Sequence, residues 1–307
     1  MSVVKRLKSA ILDPKKVIIF ANGRGWLNVL PDYLHLKLMY KIRTGKRLNI
    51  SNPKTFNEKL QWLKLYDRNP LYSQLVDKYE VRKYVSKEIG DKYLIPLIGV
   101  YDNFSDINFE KMPNDFVIKC THDSGGVIIC RDKSTFNVHE AKDKINKSLK
   151  NNYFYSGREW PYKSLKPRII CEKLLSQDNK NSDLIDYKFY CFNGSPKYCQ
   201  VIKDRGKDET IDFYDNQWRR MKFTGLHNPG KPYPHAVTDQ EEPDRYKDMI
   251  EVAKKLSKGL PFLRVDLYCI NGSIYFGELT FFPFSGYGVF DPPEWNYKMG
   301  DLLNLPN

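Results

Sequence analysis

Several signatures of metal and redox chemistry are missing from this chain of 307 residues. Its six cysteines never come closer than eight residues to one another, so no C-x-x-C pair exists. Cys120, Cys130, Cys171, Cys191, Cys199 and Cys269 sit mostly in apolar, β-branched runs such as Phe116-Val-Ile-Lys-Cys120. A free thiol there reads as a small buried hydrophobe in a reducing compartment. Five histidines form no H-x-x-x-H, which leaves zinc without a footing. No apolar run approaches the roughly 20 residues that cross a bilayer. The run Val17 to Ala21 is too short for a signal-peptide core, and no small-residue cleavage site follows it. The expectation is a cytoplasmic protein.

Hydrophobic residues make up 41% of the chain and aromatics 14%, enough for a packed core and too many for a disordered chain. The net charge of +13 is concentrated: residues 1–50 carry eleven Lys and Arg against Asp13 and Asp32, a net +9, leaving +4 for the other 257 residues. Such a region attracts polyanions or serves as a solvated basic surface. No zinc finger, RNP motif or basic zipper accompanies it, so nucleic acid is not an expected partner. Val3, Val4, Leu7 and Ile11 recur at helical spacing among the lysines, which points to an anionic membrane surface.

Residues 1–95 read as a basic, mainly helical region. Thr55-Phe-Asn-Glu58 is a capping box, and Phe56, Leu60, Leu63 and Tyr66 mark one face of the helix it opens. A second helix is expected from Pro70 to Gly90, with Lys78 and Arg82 sharing a face at i, i+4. From residue 116 the period changes to two. Strands are expected over 116–120, 127–131, 168–175, 186–192, 197–203, 262–268 and 274–280. Asn193-Gly194 and Asn271-Gly272 are hairpin signals. One clear helix interrupts, from Asp244 to Lys258. The class is α+β with mainly antiparallel sheets: a central lobe over 96–175 and a C-terminal lobe over 176–307.

Four groups of residues could carry chemistry. Lys119-Cys-Thr-His-Asp-Ser-Gly-Gly-Val127 is either a plain hairpin turn or a small loop whose N–H groups cradle phosphate oxygens. It is not a Walker A loop, since no Gly-Lys-Ser/Thr closes it. Arg264-Val-Asp266 and Glu278-Leu-Thr280 flank Asn271-Gly272. A strict two-residue turn puts Asp266 and Glu278 on opposite faces. A three-residue turn with Gly272 left-handed puts Arg264 opposite Glu278, with Asp266 diagonal. Converging carboxylates form either a salt-bridge cluster or a Mg²⁺ site. Their mutual repulsion leads us to expect that Asp266→Asn or Glu278→Gln leaves the apo protein no less stable. Ile169-Ile-Cys-Glu172-Lys173-Leu-Leu175 is an apolar strand ending in a charged pair. Val76-Asp77-Lys78-Tyr79 with Arg82 is a basic helix face.

Together these pieces resemble the ATP-grasp fold and, more narrowly, the TupA-like ATP-grasp proteins of teichuronopeptide and capsular polysaccharide biosynthesis. The resemblance runs in order from Lys46-Arg-Leu-Asn-Ile and Thr55-Phe-Asn-Glu-Lys-Leu-Gln-Trp-Leu through Leu75-Val-Asp-Lys-Tyr-Glu-Val-Arg82 and Phe116-Val-Ile-Lys-Cys. It continues with Asp186-Tyr-Lys-Phe-Tyr-Cys-Phe-Asn-Gly194 and Arg264-Val-Asp266 to Phe276-Gly-Glu-Leu-Thr280. It implies ATP and Mg²⁺ as cofactors. Lys78 and Lys119 are then contacts to nucleotide phosphates, with Ser124, Gly125 and Gly126 in the loop above them. Glu172, Lys173 and Leu175 belong to the adenine-holding linker, and Asp186 or Lys188 reaches the ribose or phosphates. Asp266 and Glu278 hold the metal, and Arg264 steadies an acyl phosphate. Thr280 stands where the family pattern has Asn, and a hydroxyl is a poorer magnesium ligand. Pro283-Phe-Ser-Gly286 likewise alters the usual Pro-Gly. The implied reaction is ATP-dependent ligation of a carboxylate and an amine, the carboxylate being a uronic acid or amino acid of a glycan precursor. The alternatives are a glycosyltransferase, whose Asp-x-Asp metal signature is missing here, and a non-catalytic membrane adaptor.

Overall fold

The structure is a computed structural model that describes residues 13–176, 184–204, 208–231 and 233–306. Two helices come first, α1 (Pro14–Gly23) and α2 (Asp32–Thr44). Asp13 accepts the Lys15 N–H to cap α1, and Gly45 ends α2 in the left-handed conformation. Helix α3 (Phe56–Tyr66) opens on the expected capping box. Thr55 accepts from the Glu58 N–H, and the Glu58 carboxylate accepts from the Thr55 N–H at 3.0 Å. Phe56, Leu60 and Leu63 are buried as expected, but Tyr66 is 57% exposed; Gln61 and Lys64 are buried instead. Residues 3 to 11 lie outside the described residues.

The single helix expected after Pro70 is two: α4 (Leu71–Val76) and α5 (Val81–Ile89). Asp77 makes the break. Its backbone is extended, and its buried carboxylate accepts the N–H groups of Tyr79 and Glu80, both at 2.9 Å. Side-chain acceptors of this kind compete with helix continuation and start the next turn. Lys78 therefore stands in the turn ahead of α5 rather than on one helix face with Arg82.

Three sheets follow, all antiparallel among the described residues. Strands β1 (Leu97–Tyr101), β2 (Phe116–Cys120), β3 (Val127–Cys130) and β4 (Ile169–Lys173) form one in the order β1-β4-β2-β3. Strands β5 (Asp186–Phe192), β6 (Ser195–Lys203), β7 (Thr210–Asp215), β9 (Phe262–Ile270) and β10 (Ser273–Thr280) form the second, ordered β10-β9-β5-β6-β7. A short pair joins β8 (Thr224–His227) to β11 (Val289–Asp291). Besides β1, β7, β8 and β11, the sequence reading missed α6 (Val138–Leu149). Only Ala141 and Ile145 of α6 are buried, so its apolar stripe is too narrow to show. The helix expected over 244–258 is α8 (Tyr246–Ser257), after the short α7 (Phe154–Gly157); α9 (Trp295–Leu302) closes the chain.

Period two positions the cleft. On the four-stranded sheet Phe116, Ile118, Cys120, Ile169 and Cys171 pack into a core that α6 supplies with Ala141 and Ile145. The alternate residues Val117, Lys119, Ile170 and Glu172 therefore face the other way. On the five-stranded sheet Phe189, Cys191, Val265 and Leu267 join a core shared with α3, α5 and α8. Asp186, Lys188, Arg264 and Asp266 take the opposite face. Two half-apolar sheets thus turn their polar faces towards one cavity.

All six cysteines are free thiols, and five are buried. Burial pushes Cys120 up to about 11 and Cys171 and Cys191 to about 12, which removes their nucleophilic character at neutral pH. No helix among the described residues is long and apolar enough to cross a membrane. Asp77→Ala removes the one carboxylate oxygen that accepts both N–H groups at the α4–α5 break. The expected cost is about 1–2 kcal/mol, as for a lost helix cap, read from the midpoint of urea unfolding.

Candidate functional site

The cavity between the sheets has a volume of about 510 Å³, within the range of small-molecule sites. Lys78, Lys119, Ser124, Glu172, Lys173, Leu175, Asp186, Lys188, Arg264, Asp266 and Glu278 all line it. Gly125, Gly126 and Thr280 stand just outside its lining.

Asp266 and Glu278 share a face by a route the sequence reading did not foresee. The Asn271-Gly272 turn is the strict two-residue type, with φ of 48° and 71°, and pairs Ile270 with Ser273. Continued unchanged, that register sets Asp266 and Glu278 on opposite faces. A β-bulge between Phe276 and Glu278 inserts Gly277 and resets the pairing to Asp266 opposite Glu278 and Arg264 opposite Thr280. The three-residue turn, with Arg264 opposite Glu278, is therefore corrected. Space at the bulge favours glycine: a Cβ at 277 would lie 3.0 Å from the Asp266 carbonyl oxygen and 3.2 Å from the Tyr268 ring, tighter than ordinary contact.

Arg264 joins the two carboxylates. Its Nε donates to Asp266 Oδ1 at 2.7 Å, and one terminal nitrogen donates to Asp266 Oδ2 at 2.7 Å and to Glu278 Oε1 at 2.8 Å. Lys188 donates to Asp266 and, at 3.2 Å, to Asp186. Burial pushes Asp266 up, but Arg264 and Lys188 outweigh it and hold its carboxyl at about 2. The same carboxylates raise Arg264 against the effect of its own burial. Thr280 donates to Glu278 Oε1 at 3.3 Å. The carboxylates are thus bridged by a cation instead of repelling each other. That corrects the expectation that removing Asp266 costs nothing, because its loss takes a carboxylate from both Arg264 and buried Lys188, leaving them only Glu278 and Asp186.

On the facing sheet Glu172 accepts from Lys119 at 2.7 Å and from Arg82 at 3.1 Å. Arg82, read from sequence as part of a basic helix face with Lys78, also donates to the Ile95 carbonyl and lines the cavity. Lys78 donates to the Asp123 carbonyl, tying the α4–α5 break to the β2–β3 loop. That loop is folded on itself: Gly126 donates to Asp123 Oδ1 at 3.1 Å, and a Cβ at 126 would collide with Cys120 and Ser148. At Gly125 a Cβ would meet open space.

Other contributors had no sequence signal. Tyr190 donates to Gln200 at 3.1 Å at the buried back of the cavity. Phe284, on the wall, and Ser285 adopt φ of 51° and 52°, a strained backbone for such residues. Buried Lys64 holds this turn by donating to the Ser285 carbonyl at 2.8 Å and hydroxyl at 2.9 Å. Burial pulls Lys64 down to about 7 although Glu159 opposes it.

Among the described residues no group of three or more His, Cys, Asp or Glu side chains converges as a metal site. The Asp266–Glu278 pair nevertheless fits Mg²⁺, which uses one or two carboxylates with substrate phosphates completing its shell. Glu278, its side chain 44% exposed against 3% for Asp266, is the accessible member.

Two outcomes follow. Asp266→Asn should destabilise the protein by about 3 kcal/mol, the cost of breaking a buried ion pair. The Asp266 contribution is complete above its ordinary value of 3.8 and lost as pH falls through about 2. Urea unfolding across that range should show a steeper acid limb in the wild type than in the variant. Gly277→Val should cost about 1–3 kcal/mol by overpacking, read in the same assay.

A comparison with curated proteins found none that matches. Solved structures with partial likeness include D-alanine–D-alanine ligase from Bacillus anthracis complexed with ATP, at 17% identity and a TM-score of 0.36, covering 67% of this chain and 53% of that one. The D-alanine–D-alanine ligase from Helicobacter pylori is 16% identical with a TM-score of 0.41, covering 83% and 68%. ATP-grasp ligase PsnB with minimal precursor, Mg and ADP is 12% identical at 0.37, covering 73% and 57%. The chain thus spans about half the length of the first of these. The sequence profile described as TupA-like ATPgrasp matches residues 58–304, most of the chain and every residue of the cavity named above. The protein belongs to the TupA-like ATP-grasp family.

Proposed function

We propose that the protein is an ATP-dependent carboxylate–amine ligase. The γ-phosphoryl of ATP passes to a substrate carboxylate, giving an acyl phosphate and ADP. An amine then attacks the acyl carbon, and the C–O bond to phosphate breaks to leave an amide and inorganic phosphate. The observation that carries this reading is the facing of two charge sets across one cleft. Arg264, Asp266 and Glu278 stand on one wall, and Lys119, Lys78 and Ser124 stand on the other.

In this reading Lys78 and Lys119 hold phosphate oxygens, and the Ser124–Gly126 loop covers them and excludes water from the acyl phosphate. Glu172 keeps Lys119 and Arg82 extended into the cleft, and Glu172 to Leu175 borders the adenine. Asp186 and Lys188 reach the ribose or phosphates. Asp266 and Glu278 hold Mg²⁺, which when bound neutralises phosphate charge. Arg264 faces the carboxylate that accepts the phosphoryl group. Such work is positioning and charge neutralisation rather than covalent catalysis.

The substrates follow from the family resemblance: a uronic acid or amino acid on a cell-surface glycan precursor, and an amine. Residues 1–50 are the part of the chain that meets an anionic membrane surface, where such precursors are carried.

Calorimetric titration with ATP and with UDP-sugars, each with and without Mg²⁺, tests the donor. ATP should bind in a Mg²⁺-dependent manner and UDP-sugars should not; the reverse would contradict the proposal. With hydroxylamine as the amine, candidate uronic acids and amino acids should yield a hydroxamate. Glu278→Gln should lower its formation about 100-fold or more.

A further inference from the structure

Half of the large exposed hydrophobic side chains among the described residues, seven of fourteen, fall between positions 17 and 34. Single exposed hydrophobics are ordinary, but a run of them is a surface feature. Helices α1 and α2 form a hairpin that uses one side inward. Ile18 and Leu27 pack with Leu36, Met39, Tyr40 and Tyr287. The other side presents Val17, Ile19, Phe20, Trp26, Val29 and Leu34 to solvent, with Trp26 67% and Val29 88% exposed.

The tip of this hairpin is held firmly. Buried Arg158 donates to the carbonyls of Leu27, Asn28 and Leu30, each at 3.1 Å. His35 and Asn22 share a hydrogen bond at 2.6 Å between the two helices. The Trp26 backbone N–H donates to the Ala21 carbonyl at 3.0 Å, and the Trp26 ring meets Phe20 edge-on. The exposure is therefore built into the fold and does not come from a loose end.

The charge around the apolar face is mostly positive. Lys15, Lys16, Arg24, Lys37 and Lys41 are exposed. Arg24 lies over the Phe20 ring at 5.1 Å and Lys37 over Tyr33 at 5.0 Å, so cations border the aromatic rings. The two acids of the region are already engaged: Asp32 pairs with Arg68 at 2.9 Å, and Asp13 caps α1. A second copy of this chain would bring the same positive charge against it. Aliphatic and aromatic side chains ringed by lysines match the boundary between anionic headgroups and acyl chains.

We propose that the outer face of the α1–α2 hairpin, with Phe20, Trp26 and Val29 at its centre, is the surface that docks on an anionic lipid bilayer. The proposal rests on the reading of residues 1–50 as the membrane-facing part and locates the contact in it. The apolar side chains insert at headgroup depth and the lysines meet lipid phosphates. Attachment is reversible and weakens with salt.

The test is co-sedimentation of the full chain with vesicles of phosphatidylglycerol and phosphatidylcholine, against phosphatidylcholine alone, at low and high salt. Binding should require the anionic lipid and fall with salt. Trp26→Ser with Val29→Ser should weaken it about tenfold or more, and Lys15→Glu with Lys16→Glu should do the same. Unchanged circular dichroism and ATP affinity in these variants would show that fold and cleft are intact. Wild-type binding by the Trp26/Val29 variant would overturn this face while sparing the wider membrane reading. No binding to anionic vesicles would overturn both. Equal binding to phosphatidylcholine alone, or a solution dimer that the Trp26/Val29 substitutions abolish, would also overturn the proposal.

Discussion

The guanidinium of Arg264, shared between Asp266 and Glu278, is the contact on which the polar half of the site depends. It exists because one extra residue, Gly277, turns Glu278 to the Asp266 side of the hairpin. Without that bulge the two carboxylates point to opposite faces, one into the core and one into the cleft. With it, the anions share one face and are bridged by one guanidinium. Arg264 and Lys188 neutralise Asp266, which is 2% exposed and could not otherwise remain ionised there.

The same economy appears on the opposite wall. Glu172 gathers Lys119 and Arg82, and a Lys78 contact joins the β2–β3 loop to the break between α4 and α5. The Glu172 wall carries an excess of positive charge, Lys119 and Arg82 against one carboxylate, and the Asp266 wall an excess of negative charge, Asp186, Asp266 and Glu278 against Arg264 and Lys188. A nucleotide with its metal brings both signs at once, so it can meet both walls without leaving a buried charge alone. This complementarity favours a phosphate-bearing substrate over a neutral one.

How far the sequence disclosed this arrangement depends on the kind of signal each part carries. Strong local chemistry was legible: the Thr55–Glu58 capping box, both Asn-Gly turns, and the strands over 116–120 and 186–192 stand where the residues indicated. Features set by a single residue against the local pattern were not. Gly277 looks like any strand glycine until the partner strand is known. Asp77 breaks a stretch whose apolar spacing continues through it. Helix α6 buries too little to show a period, and Tyr66 continues a helical stripe beyond the part that is covered. Arg82 and Lys64 resemble surface charge because their partners, Glu172 and Ser285, are 90 and 221 residues away. The salt-bridge cluster of Arg264 with Asp266 was one of the two readings the sequence offered, but the second cation, Lys188, lies 78 residues from Asp266 and carried no local signal.

In the proposed function one nucleotide occupies both walls of the cleft. Hydrogen exchange of the backbone amides, compared with and without ATP and Mg²⁺, tests this most directly. Protection should rise together in three segments: the β2–β3 loop at 119–127, the end of β4 at 172–175, and the β9–β10 hairpin at 264–280. Protection confined to one wall, or produced by a UDP-sugar and not by ATP, would contradict it.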